Sequence, residues 1–344
     1  MVTKTKRKQP NSASEVAGSH LEVQSPDHAL DRNPIVALDL DSVLSRQVNL
    51  SATERRIAAL PGRRTVKKEW QAAWLLKAIT LMDLTTLAGD DTPSNVERLC
   101  MKAMRPVRPD LLEAMGVAHM GLTVGAVCVY HAMVPTAVAA LKGSGVPVAA
   151  VSTGFPSGLS PMAQRLEEII ASVEAGASEI DIVITRGHVL TGNWDALYDE
   201  VKAFRQACGE AHMKVILGTG ELATLTNVAR ASQVSILAGA DFIKTSTGKE
   251  PVNATLPVGL VMARIIRDHY EKTGYAVGLK PAGGIRTAKS ALDWLVMVKE
   301  ELGTEWLRPE LFRFGASALL TDIERQLEHF VTGRYAAAHR QPMP

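Results

Sequence analysis

From Ala78 onward the chain alternates, eight times, between a short apolar or β-branched run and an amphipathic helical pattern. No other feature of the sequence constrains its folding as strongly. The runs are "AITLMD", "GAVCVY", "PVAAVST", "EIDIVI", "KVILGT", "DFIKTST", "AVGLKPAG" and "LFRFGAS". Helices are predicted to begin near Thr92–Ser94, Pro135, Ser160, Asn193, Thr224, Thr255, Thr287 and Leu319. All but the last of these starts offer a capping hydroxyl or amide, or a proline suited to a first turn. Gly176, Gly239, Gly274 and Gly303 fall where helices should stop. Eight strand–helix pairs in about 250 residues match the count and length of an α/β TIM (β/α)8 barrel. A doubly wound open sheet, the alternative, would not need eight units.

The remainder is divided by composition. Residues 1–33, rich in Ser, Asn, Pro and charge, read as a disordered leader, and the basic run Lys4 to Lys8 as a solvated part of it. Residues 34–77 read as an N-terminal helical extension packed on the barrel, with helices in "SATERRIAAL" and "KKEWQAAWLLKAI" and with Trp70 and Trp74 as packing residues. The barrel is assigned to 78–333 and a C-terminal tail to 334–344. A 344-residue chain that is 46% hydrophobic has the balance of a soluble globular protein, and a net charge of +2 argues against a general nucleic-acid binder. No run reaches the length of a membrane span, and no apolar stretch follows the basic N-terminus as a secretory signal requires. Cys100, Cys128 and Cys208, odd in number and without metal-ligand spacing, suit a reducing compartment, so a cytoplasmic location is expected.

Alternation along the strands identifies inward-pointing side chains. In "EIDIVI" the three isoleucines share one face and Asp181 takes the other. The same rule turns Asp83, Lys244 and Lys280 into the barrel. Four charges from strands one, four, six and seven therefore meet near the strand C-termini, the catalytic face of this fold. Any one of them alone has a structural explanation, Asp181 as a buried ion-pair member and Lys280 as the partner of Asp83. Together they are difficult to explain as packing, because apolar residues would fill the same space at lower desolvation cost.

Their chemistry follows from protonation. A lysine attacks a carbonyl only as the free amine, and lowering its pKa from about 10.4 to about 7 disfavours the cation by roughly 4 to 5 kcal/mol. Desolvation and a second nearby cation supply such a shift, and Lys244 and Lys280 on adjacent strands meet that condition. Asp181 is placed to move protons, directly or through water. The loops "STGK", "AGGIRT" and "FGAS" follow late strands and offer backbone N–H groups where barrels of this kind bind phosphate, with Lys249 as a further charge. Cys128 alternates to the interior and reads as a small packing residue. Nothing is assigned to His131, His188 or His212. Walker, dinucleotide-binding, zinc and GxSxG signatures are absent.

The segments "LMDLTTL", "AVCVY", "EIDIVI", "TGEL", "GADFIKTSTGK", "GLKPAGGIRT" and "RFGAS" resemble deoxyribose-phosphate aldolase, a class I aldolase family, from about Leu81 to Gly333. The extended N-terminus and long tail look like the longer branch of that family. The resemblance implies that Lys244 is the Schiff-base lysine, Lys280 the cation that lowers its pKa, and Asp181 the proton relay. Asp83 would pair with Lys280 and order the substrate end of the pocket. Thr85, Thr247, Gly248, Lys249, Gly283, Gly284, Gly315 and Ser317 would line the substrate and phosphate site. The implied reaction is reversible cleavage of 2-deoxy-D-ribose 5-phosphate to D-glyceraldehyde 3-phosphate and acetaldehyde, a step in deoxyribonucleotide catabolism, with no metal or organic cofactor. The expected partners are these small molecules and a second copy of the chain in a dimer, without nucleic acid or membrane. Two other readings compete: a Schiff-base barrel acting on a ketone donor, and a non-catalytic phosphosugar-binding barrel. Against the first stands the pairing of "KTSTGK" with "KPAGG"; against the second, the presence of both lysines and both aspartates.

Overall fold

The structure, a computed structural model, describes residues 32–63 and 66–341. Three helices, α1 (Leu40–Ser45), α2 (Leu50–Arg63) and α3 (Lys68–Thr80), precede the first strand. There follow β1 (Met82–Thr85), α4 (Pro93–Met104), α5 (Pro109–Ala114), β2 (Ala126–Tyr130), α6 (Val134–Ala140), β3 (Val148–Val151) and α7 (Met162–Glu174). Next come β4 (Glu179–Val183), α8 (Arg186–Leu190), α9 (Trp194–Cys208), β5 (His212–Ile216), α10 (Leu225–Leu237), β6 (Phe242–Lys244) and α11 (Leu256–Thr273). The last elements are β7 (Gly278–Lys280), α12 (Ala288–Leu302), β8 (Phe314–Ala316) and α13 (Ala318–Thr332).

Each strand is short and flanked by helices, so its apolar runs are covered on both faces, as in other all-parallel sheets. The strands pair in parallel in the order β7-β6-β5-β4-β3-β2-β1-β8. Bridges from Leu279 to Phe312 and from Ala282 to Gly315 join the two ends, closing the sheet into the expected (β/α)8 barrel. Capping fixes where the helices start. The side chains of Thr92, Asn193, Thr224 and Thr287 accept hydrogen bonds from the backbone N–H three residues on, at α4, α9, α10 and α12.

One boundary differs from the reading of "AITLMD". Ala78–Thr80 complete α3, and β1 begins only at Met82. Local helical periodicity carries through Thr80 because α3 packs along α12 and α13. Of the two tryptophans of this helix, only Trp70 differs from expectation. Trp74 is half-buried beneath the Lys299 ammonium, 5.5 Å from its ring centroid, whereas Trp70 is 73% exposed and packs on nothing that would bury it.

Residues 1–31 of the expected leader lie outside the described residues. Arg32 and Asn33, assigned to the same leader, are held firmly. The backbone N–H of Asn33 donates to Asp241 Oδ1 at 3.0 Å, and its amide donates to the carbonyls of Ile236 and Ala240. Val36 N–H then donates to Leu237 O and Tyr198 Oη–H to Val36 O. From this anchor α1 packs on α10, and α2 on α11 and α12. At the other terminus Arg340 and Gln341 reach Glu328 of α13 at 3.0 and 2.6 Å. Tyr335 stacks on His329 at 4.3 Å, beyond the C-terminal end of α13. The twelve residues of helix from Ser317 to His329 put this stack about 18 Å from Ser317.

Candidate active site

Inward alternation on β1, β4, β5, β6, β7 and the approach to β8 places seven charged side chains in the barrel interior, all nearly or wholly buried: Asp83, Glu179, Asp181, Lys214, Lys244, Lys280 and Arg313. Asp181 is the hub. Its Oδ2 accepts from Lys244 Nζ and from Lys280 Nζ, each at 2.7 Å, and its Oδ1 accepts from Lys214 Nζ at 3.2 Å. Lys280 also pairs with Asp83. Arg313 spans the layer below, donating to Asp83 Oδ1 at 2.5 Å and to Glu179 Oε1 at 2.8 Å, and Lys214 completes this layer by pairing with Glu179.

Four cations thus share three carboxylates, and one positive charge is left over in a desolvated space. The excess is relieved at Lys244. Burial, reinforced by the Lys280 ammonium, pulls its pKa below the ordinary lysine range despite the nearby Asp181 carboxylate. Lys280 and Lys214 move the other way. Burial opposes their charge as well, but the carboxylates of Asp181 and Asp83 around Lys280, and of Asp181 and Glu179 around Lys214, more than offset it. Asp83 and Asp181 resist burial through the same cations and stay well below the usual carboxylate range.

Above this network lies a cavity of about 230 Å³ lined by Thr85, Lys244, Thr247, Gly248, Lys249, Gly283, Gly284, Gly315 and Ser317, together with Leu87, Arg286 and their neighbours. Every expected substrate-binding residue is at this surface. Of the four buried cations, only Lys244 lines it. Asp83, Asp181 and Lys280 are not among its lining residues, and Asp83 pairs with Lys280 as expected. Two of the glycines are dictated by space. Gly283 has φ +78°, and a Cβ there would lie 2.6 Å from the Asn253 side chain; a Cβ at Gly315 would come within 2.8 Å of Ala282.

The loop after β6 differs from expectation in one respect. The amides of Thr247 and Gly248, read as phosphate donors, point to the Glu250 carboxylate at 3.0 and 3.1 Å, and the Thr247 hydroxyl donates to it at 2.7 Å. These groups hold the loop's shape. Lys249 Nζ reaches across to Leu87 O at 3.0 Å and ties this loop to the one after β1. The donors facing the cavity are those around Gly284, Arg286 and the first turn of α13 at Ser317 and Ala318. On the opposite side Cys128 packs with Ala149 and Val151, bordered by Leu87, Tyr130 and Phe155, and burial pushes its thiol pKa up, as suits a packing residue.

This arrangement supports covalent chemistry at a carbonyl: a lysine of lowered pKa at the cavity floor, a fixed cation and carboxylate behind it, and anion-binding groups a few residues away. A model of the DeoC/LacD family aldolases matches residues 77–323. The chain belongs to that aldolase family. It is 63% identical to the deoxyribose-phosphate aldolase of Homo sapiens over 89% of this chain and 97% of the relative. It is 64% identical to that of Mus musculus with the same coverage. The solved structure of a tetrameric deoxyribose phosphate aldolase from Aeropyrum pernix covers 81% of this chain and 99% of its own, at a TM-score of 0.57 and 22% identity, which speaks to the fold.

For this aldolase, reading the sequence missed Lys214, Glu179, Arg313 and Arg286. The first three were within reach of the alternation rule. Glu179 lies two residues before Asp181, Arg313 two before Gly315, and Lys214 begins the quoted run "KVILGT". Arg286, on a loop, has no such period, and only the fold brings it to the cavity.

Proposed function

We propose that this aldolase cleaves 2-deoxy-D-ribose 5-phosphate reversibly to D-glyceraldehyde 3-phosphate and acetaldehyde through a Schiff base on Lys244. The observation that carries the reading is the selective one at the network: among four buried cations, Lys244 alone has its pKa lowered and alone meets the cavity. The free amine of Lys244 adds to the aldehyde carbon, and loss of water gives an iminium. The iminium withdraws the electron pair of the carbon 2–carbon 3 bond as a base removes the proton of the carbon 3 hydroxyl. Glyceraldehyde 3-phosphate leaves, and the enamine that remains is protonated at carbon 2 and hydrolysed to acetaldehyde. Asp181, sharing one oxygen between Lys244 and Lys280, is placed to relay these protons. Lys280, held charged by two carboxylates, keeps Lys244 neutral without competing as a nucleophile.

The phosphate is proposed to lie against Gly283, Gly284, Gly315, Ser317 and Arg286, with Lys249 at its edge. The same proposal includes a cytosolic location, consistent with three buried free cysteines, and assembly as a dimer. No helix among the described residues is long and apolar enough to cross a membrane. The deciding experiment is borohydride reduction in the presence of deoxyribose 5-phosphate or acetaldehyde, followed by peptide mass spectrometry. A reduced adduct on Lys244 is expected. An adduct on Lys280 or Lys249 would reassign the nucleophile, and intact protein with no adduct would end the Schiff-base reading. Light scattering tests the dimer.

A further inference from the structure

Beside the substrate cavity lies a second, of about 470 Å³, lined by Thr85, Thr86, Leu99, Arg286, Ser317, Ala318, Thr321, Asp322 and Arg325. The two share Thr85, Arg286, Ser317 and Ala318 as a common wall. Arg286, at the boundary, and Arg325, half-buried on α13, make no hydrogen bond or ion pair with any described residue. Arg286 is exposed, whereas Arg325 is half-buried like Arg46 and Arg56, which are engaged by carboxylates. Leaving Arg325 unpaired and partly desolvated has a cost that an anion would remove. The cavity's own carboxylate, Asp322, makes no ion pair with Arg325; its Oδ2 accepts from the backbone N–H of Ala288 at 2.7 Å. The hydroxyl of Thr86 is also engaged, by Asp91, while that of Thr321 has no partner among the described residues.

We propose that this second cavity is a subsite for a further phosphoryl group, so that the protein binds diphosphate-bearing anions across Arg286 with one phosphoryl group in the substrate cavity and the next against Arg325. The proposal rests on the reading of the first cavity as the phosphate site. Because the two cavities adjoin at Arg286, a group extending past the phosphate on the side away from Lys244 enters the second. Such an anion is a competitive inhibitor and not a substrate unless it carries the reacting aldehyde. The site would make cleavage sensitive to the cellular level of diphosphate compounds, without any conformational change.

The test is steady-state inhibition of deoxyribose 5-phosphate cleavage by inorganic orthophosphate and inorganic pyrophosphate, with wild type and Arg325→Gln. In wild type, pyrophosphate is expected to compete about tenfold more tightly than orthophosphate, the scale of one added charge-assisted hydrogen-bonded pair. In Arg325→Gln the two inhibitors should come within about threefold of each other while kcat and KM for the substrate hold, which also serves as the control for folding. Equal inhibition constants in wild type would overturn the subsite and leave the phosphate reading of the first cavity intact, as would a wild-type preference that persists in Arg325→Gln. If orthophosphate fails to compete at all, the phosphate reading and the subsite fall together.

Discussion

A lysine ammonium at Lys244 would be one of four cations facing three carboxylates, and its protonation is what this site suppresses. The folded pKa lies below the ordinary value of 10.5, so between the two the folded chain binds fewer protons there than the unfolded chain does. The cost of this group to stability is therefore absent above the ordinary value, grows as pH falls from there to the lowered one, and is constant below it. Activity has the same sign: cleavage should rise with pH as Lys244 gives up its proton. Lys280→Met removes a like charge and should move that rise to higher pH by about one unit, with a lower rate at neutrality. A pH–rate profile unchanged from wild type would remove Lys280 from this role. Lys244→Ala should lower kcat by about a thousandfold or more with an unchanged circular dichroism spectrum; retained cleavage would place the nucleophile elsewhere.

At the scale of elements, the strands deliver the charge network in two layers, and the lower one holds the upper in place. Arg313 joins β8 to β1 through Asp83 and to β4 through Glu179, while Lys214 of β5 joins Glu179 to Asp181. Removing one partner of such a buried set leaves carboxylates without compensation. Arg313→Met is expected to destabilise the fold by about 3–5 kcal/mol, measured by urea denaturation; a loss under about 1 kcal/mol would mean that the lower layer is dispensable. Helix α3 illustrates the limit of periodicity at this scale. Its helical periodicity is correct, yet the packing partner, α12 with α13, selects Ala72, Leu75, Leu76 and Ile79 for burial and leaves Trp70 in solvent.

For the whole molecule, the N-terminal segment is a strap across α9, α10 and α11 that ends on the strand carrying Lys244. Asn33 meets Asp241, the residue preceding β6, which Arg205 also holds at 2.6 Å, and the Asn33 side-chain oxygen meets His269 of α11 at 3.0 Å. Asn33→Ala leaves several of these buried groups without partners and should cost about 1–3 kcal/mol. For a chain of this size that is a fall in Tm of several degrees by calorimetry. An unchanged Tm would show that water replaces the amide without loss.

By itself the sequence determined the barrel and the members of its catalytic centre that lie on strands. The period-2 pattern forces each alternate side chain into the interior, and capping residues fix the eight repeats, so Asp83, Asp181, Lys244 and Lys280 were legible as inward charges. The same rule would have reached Glu179 and Lys214, the first residues of their runs, and Arg313, the third of its own. Tertiary structure alone decided what depends on distance between segments far apart in the chain. It set Lys244 apart as the buried lysine whose pKa is lowered, because that outcome depends on charges brought together from six strands, and a strand carries no record of its neighbours' charge. It turned the Thr247 and Gly248 amides toward Glu250, because backbone donors in a loop take whichever acceptor the turn brings near. It brought Arg286 and Arg325 to adjoining cavities, because closure of β7 against β8 sets the loop after β7 beside helix α13.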